Sequence, residues 1–347
     1  MRTNYSKSTA DVRAEVAHSL TDGQARFRRQ QRAADLLRDA SPRTHCLLCG
    51  AELHEADSLQ HRGLLFRLCK VCGHLQSATK PPDGFPLDIP SNGFEFNECY
   101  PELSEKEYLS RRNRIYRPKL EWMLSCAREI GLSADQLLAR RWLELGCGAG
   151  YFLSALHDAG ARDIAGVEAD SVLAERANRH FPQPLVTHSK ESLPALIRSS
   201  SAEVLAAIFV LEHVEDAAEV YRAFAEKPAG TILLLAVPVF GFSTLLDNVF
   251  SDQCARMLDG AVHTQLYTDR SIEWALSRAN YSKAAEWIFG ADAIALQMAI
   301  ESRLEGRVPK RLLNAVSESL KDPLEVFQQS LDRVRLADER HLLAVKR

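Results

Sequence analysis

No apolar run in the 347 residues is long enough to cross a bilayer, which takes about 20 residues. The longest runs, 204–211 and 232–240, fall well short. Nothing apolar of the kind that directs secretion follows the opening Met1-Arg2-Thr3-Asn4-Tyr5-Ser6-Lys7. A basic excess is missing too. The 43 Lys and Arg against 46 Asp and Glu leave a net charge of −3, which offers no nucleic-acid surface. Eight cysteines in a chain of this length are not a disulfide framework in themselves. Hydrophobic residues make up 46% and charged residues 26%, an ordinary globular balance. The expectation is a cytoplasmic protein with reduced thiols and no membrane span, built as one large domain with attachments or as two domains.

The chain is organised around residues 141–150, Arg-Trp-Leu-Glu-Leu-Gly-Cys-Gly-Ala-Gly. An apolar strand pattern runs from Trp142 through Glu144 to Leu145 and meets Gly146, Gly148 and Gly150. A helical pattern starts at Tyr151. Strand, glycine turn and helix N-terminus in succession let a ligand approach the main chain closely. Glu144 is a poor partner for a phosphate, which argues against a pyrophosphate-binding turn and its nicotinamide cofactor. Glu168 lies 20 residues after Gly148, at the end of the next strand pattern. A carboxylate there accepts hydrogen bonds from both hydroxyls of a ribose.

Acid-x-Gly-x-Gly-x-Gly resembles the first motif of class I S-adenosylmethionine (SAM) methyltransferases. The resemblance implies that Glu144, Gly146, Cys147, Gly148 and Gly150 surround the amino-acid end of SAM, whose cationic sulfonium is compatible with a carboxylate nearby. Leu211-Glu212-His213-Val214 resembles the segment after the fourth strand of these enzymes. It implies that Leu211 and Glu212 meet the cofactor and that Glu212 and His213 lie where cofactor and substrate converge. The other reading of Glu212 and His213 is a structural hydrogen-bonded pair. After the third strand a short polar segment meets adenine in the resembled fold. Ser189 and Lys190 hold that place here, without the usual acid. His263, four residues before Tyr267-Thr268, resembles a histidine of relatives that methylate small molecules and sugars. An imidazole with a pKa of about 6.5 suits removal of a hydroxyl proton near neutrality. His263 is the first choice of base and His213 the second, with a structural histidine as the alternative for each. A helical segment ahead of the first strand covers the site in the resembled enzymes, and Tyr100, Tyr108 and Arg112 are candidates for that cover or for ordinary packing.

Strand patterns at 164–168, 185–187, 204–211, 231–237 and 283–288 alternate with helical ones at 171–180, 191–198, 216–226 and 268–278, the last capped by Thr268. Alternation predicts an α/β fold: a Rossmann-like, doubly wound, mostly parallel sheet. Residues 290–335 read as amphipathic helices inserted before a last strand at 341–345, which the resemblance places antiparallel between the previous two. That insertion is open between a dimer surface and a substrate lid.

Cys46-x-x-Cys49 and Cys69-x-x-Cys72, with 19 residues between the pairs, have the spacing of a four-thiolate zinc site. Gly50 and Gly73 follow each pair, where a knuckle turn favours positive φ. Such a zinc is structural, since four thiolates leave no open position. His45, His54, His61 and His74 are near enough to replace a thiolate, and two metal-free buried pairs are the alternative. Cys69 to Gln76 resembles the zinc-binding head joined to many SAM-dependent methyltransferases, among them sugar C-methyltransferases with a larger C-terminal domain that is not recognised here. The expected organisation is a polar helical segment (1–40), a zinc-ribbon-like head (41–85), a linker and helical cover (86–135) and a SAM-binding domain (136–347). The expected function is SAM-dependent methylation of a small molecule, with a sugar or sugar nucleotide among the acceptors. A catalytically degenerate methyltransferase fold serving as a zinc-binding interaction protein is the alternative. Homo-oligomerisation stays open.

Overall fold

The computed structural model describes residues 1–16, 23–54, 56–80, 102–252, 257–258 and 263–347. Its strands are β1 (Arg2–Tyr5), β2 (Asp57–His61), β3 (Leu64–Leu68), β4 (Leu75–Ser77), β5 (Trp142–Leu145), β6 (Ile164–Glu168), β7 (Val186–His188), β8 (Val204–Ile208), β9 (Ile232–Pro238), β10 (Gln265–Leu266), β11 (Tyr281–Phe289) and β12 (Glu339–Lys346). Eight of them form one sheet in the order β1-β11-β12-β9-β8-β5-β6-β7. Every neighbouring pair is parallel except those made by β12, which runs antiparallel between β9 and β11. This is the α/β class I fold expected from the alternating pattern.

The apolar runs explain the layering. Side chains alternate across a strand, so a run without polar residues is buried on both faces. Val204, Ala206, Ile232 and Leu234 join Trp142 and Phe152 on one side of the sheet. Leu205, Ala207, Leu233 and Leu235 join Leu143, Val220 and Phe224 on the other. Each fully buried aliphatic side chain contributes about 1.5–3 kcal/mol.

Three segments depart from the sequence reading. Residues 1–40 were expected to be helical; helices Thr9–Val16 and Gly23–Arg38 lie there, but Arg2–Tyr5 is a strand that extends the sheet through backbone pairing with β11. The strand expected over 204–211 stops at Ile208. Phe209 has φ +54°, its N–H bonds the Ala236 carbonyl, and Leu211–His213 is a short 3₁₀ turn. Helix Phe242–Val249 occupies a stretch with no assigned pattern. Residues 290–335 hold helices Asp292–Leu304, Lys310–Ser319 and Lys321–Arg333, as expected.

β2, β3 and β4 form a small antiparallel sheet with the cysteine pairs. The β2–β3 hairpin turns through Arg62 and Gly63, both at positive φ, the backbone that a two-residue turn between twisted strands demands. β10, from far along the chain, pairs antiparallel with β4 and is the fourth strand of the small sheet. Among the described residues no helix is long and apolar enough to cross a membrane.

Candidate functional site

In the central sheet β5 connects to β6 on one side while β8 lies on the other, so the order reverses beside β5. Ligands of open α/β sheets bind in the crevice outside the carboxyl ends of the strands at such a point. The turn after β5 is there. Gly146, Gly148 and Gly150 have φ of +62°, +53° and +73°. A Cβ on Gly146 would stand 2.8 Å from Val210 Cγ2, and one on Gly150 2.9 Å from Ala177 Cβ. The turn therefore requires glycine for its conformation and for its packing against the neighbouring segments.

Glu168, at the end of β6, accepts from the Gly148 N–H at 2.7 Å and the Asp170 N–H at 3.0 Å. A carboxylate has about four acceptor sites, so capacity remains for a ribose. Ser189 is held beside it, its N–H donating to the Glu168 carbonyl at 2.9 Å. Glu144 is 3% exposed and its Oε2 accepts no hydrogen bond among the described residues. Burial pushes its pKa well above the usual carboxylate value, and the Glu168 charge adds to this. A buried carboxyl with one unpartnered oxygen ionises only beside a cation, and the sulfonium and ammonium of SAM would provide one. The chain thus fits SAM on three counts: the glycine cradle, Glu168 and Glu144. The Cys147 side chain is buried, and a Cβ on Gly166 would lie 2.8 Å from its Sγ. Burial keeps that thiol neutral.

Beyond β8 the backbone carries Leu211, Glu212 and His213 past the carboxyl end of the strand, where Val210 packs against Gly146. Glu212 is 1% exposed, and neither of its oxygens accepts a hydrogen bond among the described residues. Burial raises its pKa to about 8, with the Glu339 charge adding to the effect. His213 Nε2 lies 3.8 Å from Glu212 Oε1, too far for a hydrogen bond, and the His213 and His263 rings stack at 5.1 Å. His263 Nδ1 is 3.1 Å from the Met257 carbonyl. The structure thus brings together Glu212, His213 and His263, the last some 50 residues further along the chain.

Of the expected cover, Tyr108 is buried over the glycine turn. Its hydroxyl donates to the Ala149 carbonyl at 3.3 Å and its ring stacks between Tyr151 and His180. Arg112 is instead engaged by Asp158 at 3.6 Å and Ser154 at 3.5 Å on helix Tyr151–Asp158. Tyr100 and most of the proline- and glycine-rich stretch at 77–100 lie outside the described residues. Two residues escaped the sequence reading. Lys119 is fully buried, with the rings of Tyr116, Phe209 and Phe289 at 5.7–5.8 Å. Phe209 holds a left-handed backbone that strains a side chain of its size. A lysine in a helical pattern reads as a surface residue, so no sequence signal marked Lys119.

The chain is similar to known proteins. Residues 108–286, about half of the chain, match the family described as the methyltransferase domain. The chain belongs to that family. Two proteins named ubiquinone biosynthesis O-methyltransferase are similar to it. The one from Methylococcus capsulatus is 31% identical over 133 residues, covering 37% of this chain and 56% of that protein. The one from Bordetella avium is 26% identical over 165 residues, covering 46% and 65%. The chain thus matches less than two thirds of either relative's length. The crystal structure of magnesium protoporphyrin IX methyltransferase from Synechocystis PCC 6803 aligns with a TM-score of 0.44 and 14% identity, over 73% of this chain and 93% of that one.

Ahead of the methyltransferase domain, the four cysteine Sγ atoms lie within 4.8 Å of one another. Cys46 and Cys72 are 3.6 Å apart, Cys49 and Cys69 3.5 Å. Sulfurs on a tetrahedral zinc, at about 2.3 Å each, stand about 3.8 Å apart. Gly50 and Gly73 take φ of +72° and +76°. The Cys72 thiol donates to Cys46 and holds it far down, to about 4. Burial pushes Cys49 up to about 12, and the hydrogen bond to Cys46, with burial, pushes Cys72 up too.

The head is bolted to the methyltransferase domain beside the site. His74, fully buried, lies 2.6 Å from Gln265 Oε1. The Gln265 amide donates to the carbonyls of Leu211 at 3.3 Å and Val214 at 2.5 Å, which bracket Glu212 and His213. Tyr267 packs edge-on against His74, and the Thr268 hydroxyl, besides capping helix Asp269–Arg278, donates to the Gly73 carbonyl. Arg270 donates to the carbonyls of Lys70 and Val71 in the second knuckle. Tyr267 and Thr268 therefore meet the head, while His263 stands with Glu212 and His213.

Proposed function

We propose that this protein is a SAM-dependent methyltransferase acting on a small-molecule acceptor, with a structural zinc in its head. The observation that carries the reading is the meeting, at the carboxyl ends of β5 and β6, of the positive-φ glycine turn, the Glu168 carboxylate and the buried Glu144 carboxyl, one oxygen of which has no partner among the described residues. SAM, when bound, supplies a methyl group already activated on sulfur. The chain's part is alignment and exclusion of water. Orientation of two reactants provides about 7–11 kcal/mol of a barrier. Glu168 takes the ribose hydroxyls, Ser189 stands beside it toward the base, and Glu144 complements the cationic end. Gly146, Cys147, Gly148 and Gly150 offer backbone to that end, and Leu211 and Glu212 close the other wall. The acceptor's proton is drawn at the Glu212 cluster, with His263 and then His213 as the base, a contribution of typically 10²–10⁴-fold.

Cys46, Cys49, Cys69 and Cys72 hold the zinc within a head over 41–85. The SAM-binding domain spans 136–347, with a linker and helical cover over 86–135 and a leading segment over 1–40. The relatives' names favour an oxygen acceptor. The resemblance of the head from Cys69 to Gln76 keeps a sugar or sugar nucleotide hydroxyl among the acceptors to try. A cytoplasmic location goes with reduced thiols. The test is calorimetric titration with SAM, followed by transfer from methyl-labelled SAM to extracted metabolites. One bound SAM and a labelled product are expected. No heat of binding would identify the degenerate, interaction-protein alternative.

A further inference from the structure

We propose that Glu212, His213 and His263 form a divalent-cation site at the acceptor end of the crevice, distinct from the four-cysteine cluster. One ligand atom from each lies within 4.8 Å of the others. Ligands about 2.1 Å from a cation stand about 3.0–3.5 Å apart, so the three need draw in by about an ångström. Two imidazoles and one carboxylate suit Mn²⁺, Fe²⁺, Co²⁺ or Zn²⁺, and three protein ligands leave positions open.

Two further observations point to a ligand. Glu212 is 1% exposed, yet both its oxygens lack hydrogen bonds among the described residues, a cost that a cation in the cluster removes. The second is the anchor of His263, whose Nδ1 lies 3.1 Å from the Met257 carbonyl. A carbonyl only accepts, so this nitrogen carries the proton. The tautomer leaves the lone pair on Nε2, the usual outer-shell arrangement of a ligating histidine. The Leu211–Val214 backbone that presents Glu212 and His213 is pinned by Gln265 from the head's seam. The ligands are thus preset on a braced segment.

The inference rests on the crevice being the methyl-transfer site and changes how the proton is drawn there. A cation on these ligands takes an acceptor hydroxyl into an open position and lowers its pKa, as bound cations do for water. The proton leaves to solvent. The acceptor oxygen forms its bond to the methyl carbon as the carbon–sulfur bond breaks, and the pair of electrons leaves on S-adenosylhomocysteine. The imidazoles are then ligands. The acceptor class is an oxygen acid, a phenol or other hydroxyl.

The test uses the full chain with its zinc loaded, so the thiolates are occupied, and Mn²⁺ alone as the probe, because thiolates bind it poorly. Electron paramagnetic resonance counts bound Mn²⁺, and elemental analysis counts zinc. One Mn²⁺ per chain is expected, weakened at least tenfold by Glu212→Gln and by His263→Asn while zinc per chain and far-ultraviolet dichroism stay unchanged. No Mn²⁺ bound by the wild type, or binding indifferent to both substitutions, overturns the site. SAM titration of the same sample separates the two readings: SAM bound without Mn²⁺ sinks the cation site and leaves the methyltransferase reading standing, and Mn²⁺ bound without SAM does the reverse.

Discussion

Replacing Glu144 with Gln separates the demands of folding from those of binding. The side chain is 3% exposed and one oxygen is unpartnered among the described residues, with burial holding the carboxyl protonated well above its ordinary range. A protonated carboxyl and an amide have nearly the same shape. The ligand-free variant should match the wild type within about 1 kcal/mol, since no buried charge is lost. SAM binding should suffer, because the ionised carboxylate is what a cationic ligand needs. A hydrogen bond to a charged group contributes about 1.5–3 kcal/mol, which is about 10- to 150-fold in Kd. The pH dependence gives a second handle. Wild-type affinity should rise with pH as Glu144 gives up its proton on binding, and the variant should be flat. Calorimetry over a pH series reads both. Equal Kd values for the two proteins, or parallel pH profiles, would refute the argument that Glu144 faces the cationic end.

Gly146→Ala should destabilise the fold by about 1–3 kcal/mol in urea unfolding, from φ +62° and the 2.8 Å approach to Val210. His74→Ala breaks the 2.6 Å link to Gln265 in a buried seam and should cost about 2–4 kcal/mol, with slower turnover because the Leu211–Val214 carbonyls lose their brace. Unchanged turnover would show that the head does not support the site. Glu286 is 1% exposed. Burial alone would raise its pKa, but Arg335 and Lys283 outweigh it and hold it at about 2. Its folded pKa lies below the unfolded value, so its stabilisation is complete above about pH 4.5 and is lost as pH falls toward 2. About 2 kcal/mol should disappear between pH 6 and pH 3, and Arg335→Ala should flatten that slope in urea unfolding. Chelating the metal from the head should lower the unfolding midpoint, and a midpoint indifferent to chelator would argue against a structural zinc.

The central sheet was legible because its strands are both apolar and regularly spaced. A run such as 204–208, buried on two faces, has few competing readings. The glycine turn was legible because three glycines at alternate positions have one economical explanation, positive φ, which all three show. β1 was not legible: Arg2-Thr3-Asn4-Tyr5 has no apolar face and joins the sheet by backbone pairing with β11, near the other end of the chain. β10 was hidden for the same reason, its partner β4 lying in the head. The Arg62-Gly63 hairpin left a faint signal, a glycine between two short strands, that alternation alone did not reveal. At the site, Glu212, His213 and His263 were each visible as residue types, but only tertiary structure set His263 against the other two. The role of Gln265 as the link between head and site had no local sequence signal, because its partners His74, Leu211 and Val214 are all distant in the chain.

The most direct measurement is a crystal structure of the protein grown with SAM. The account predicts ribose hydroxyls within hydrogen-bonding distance of Glu168, the amino-acid end against the Gly146–Gly150 turn with Glu144 behind it, and the methyl group directed toward Glu212. Density for SAM elsewhere, or protein side chains filling that crevice, would contradict it.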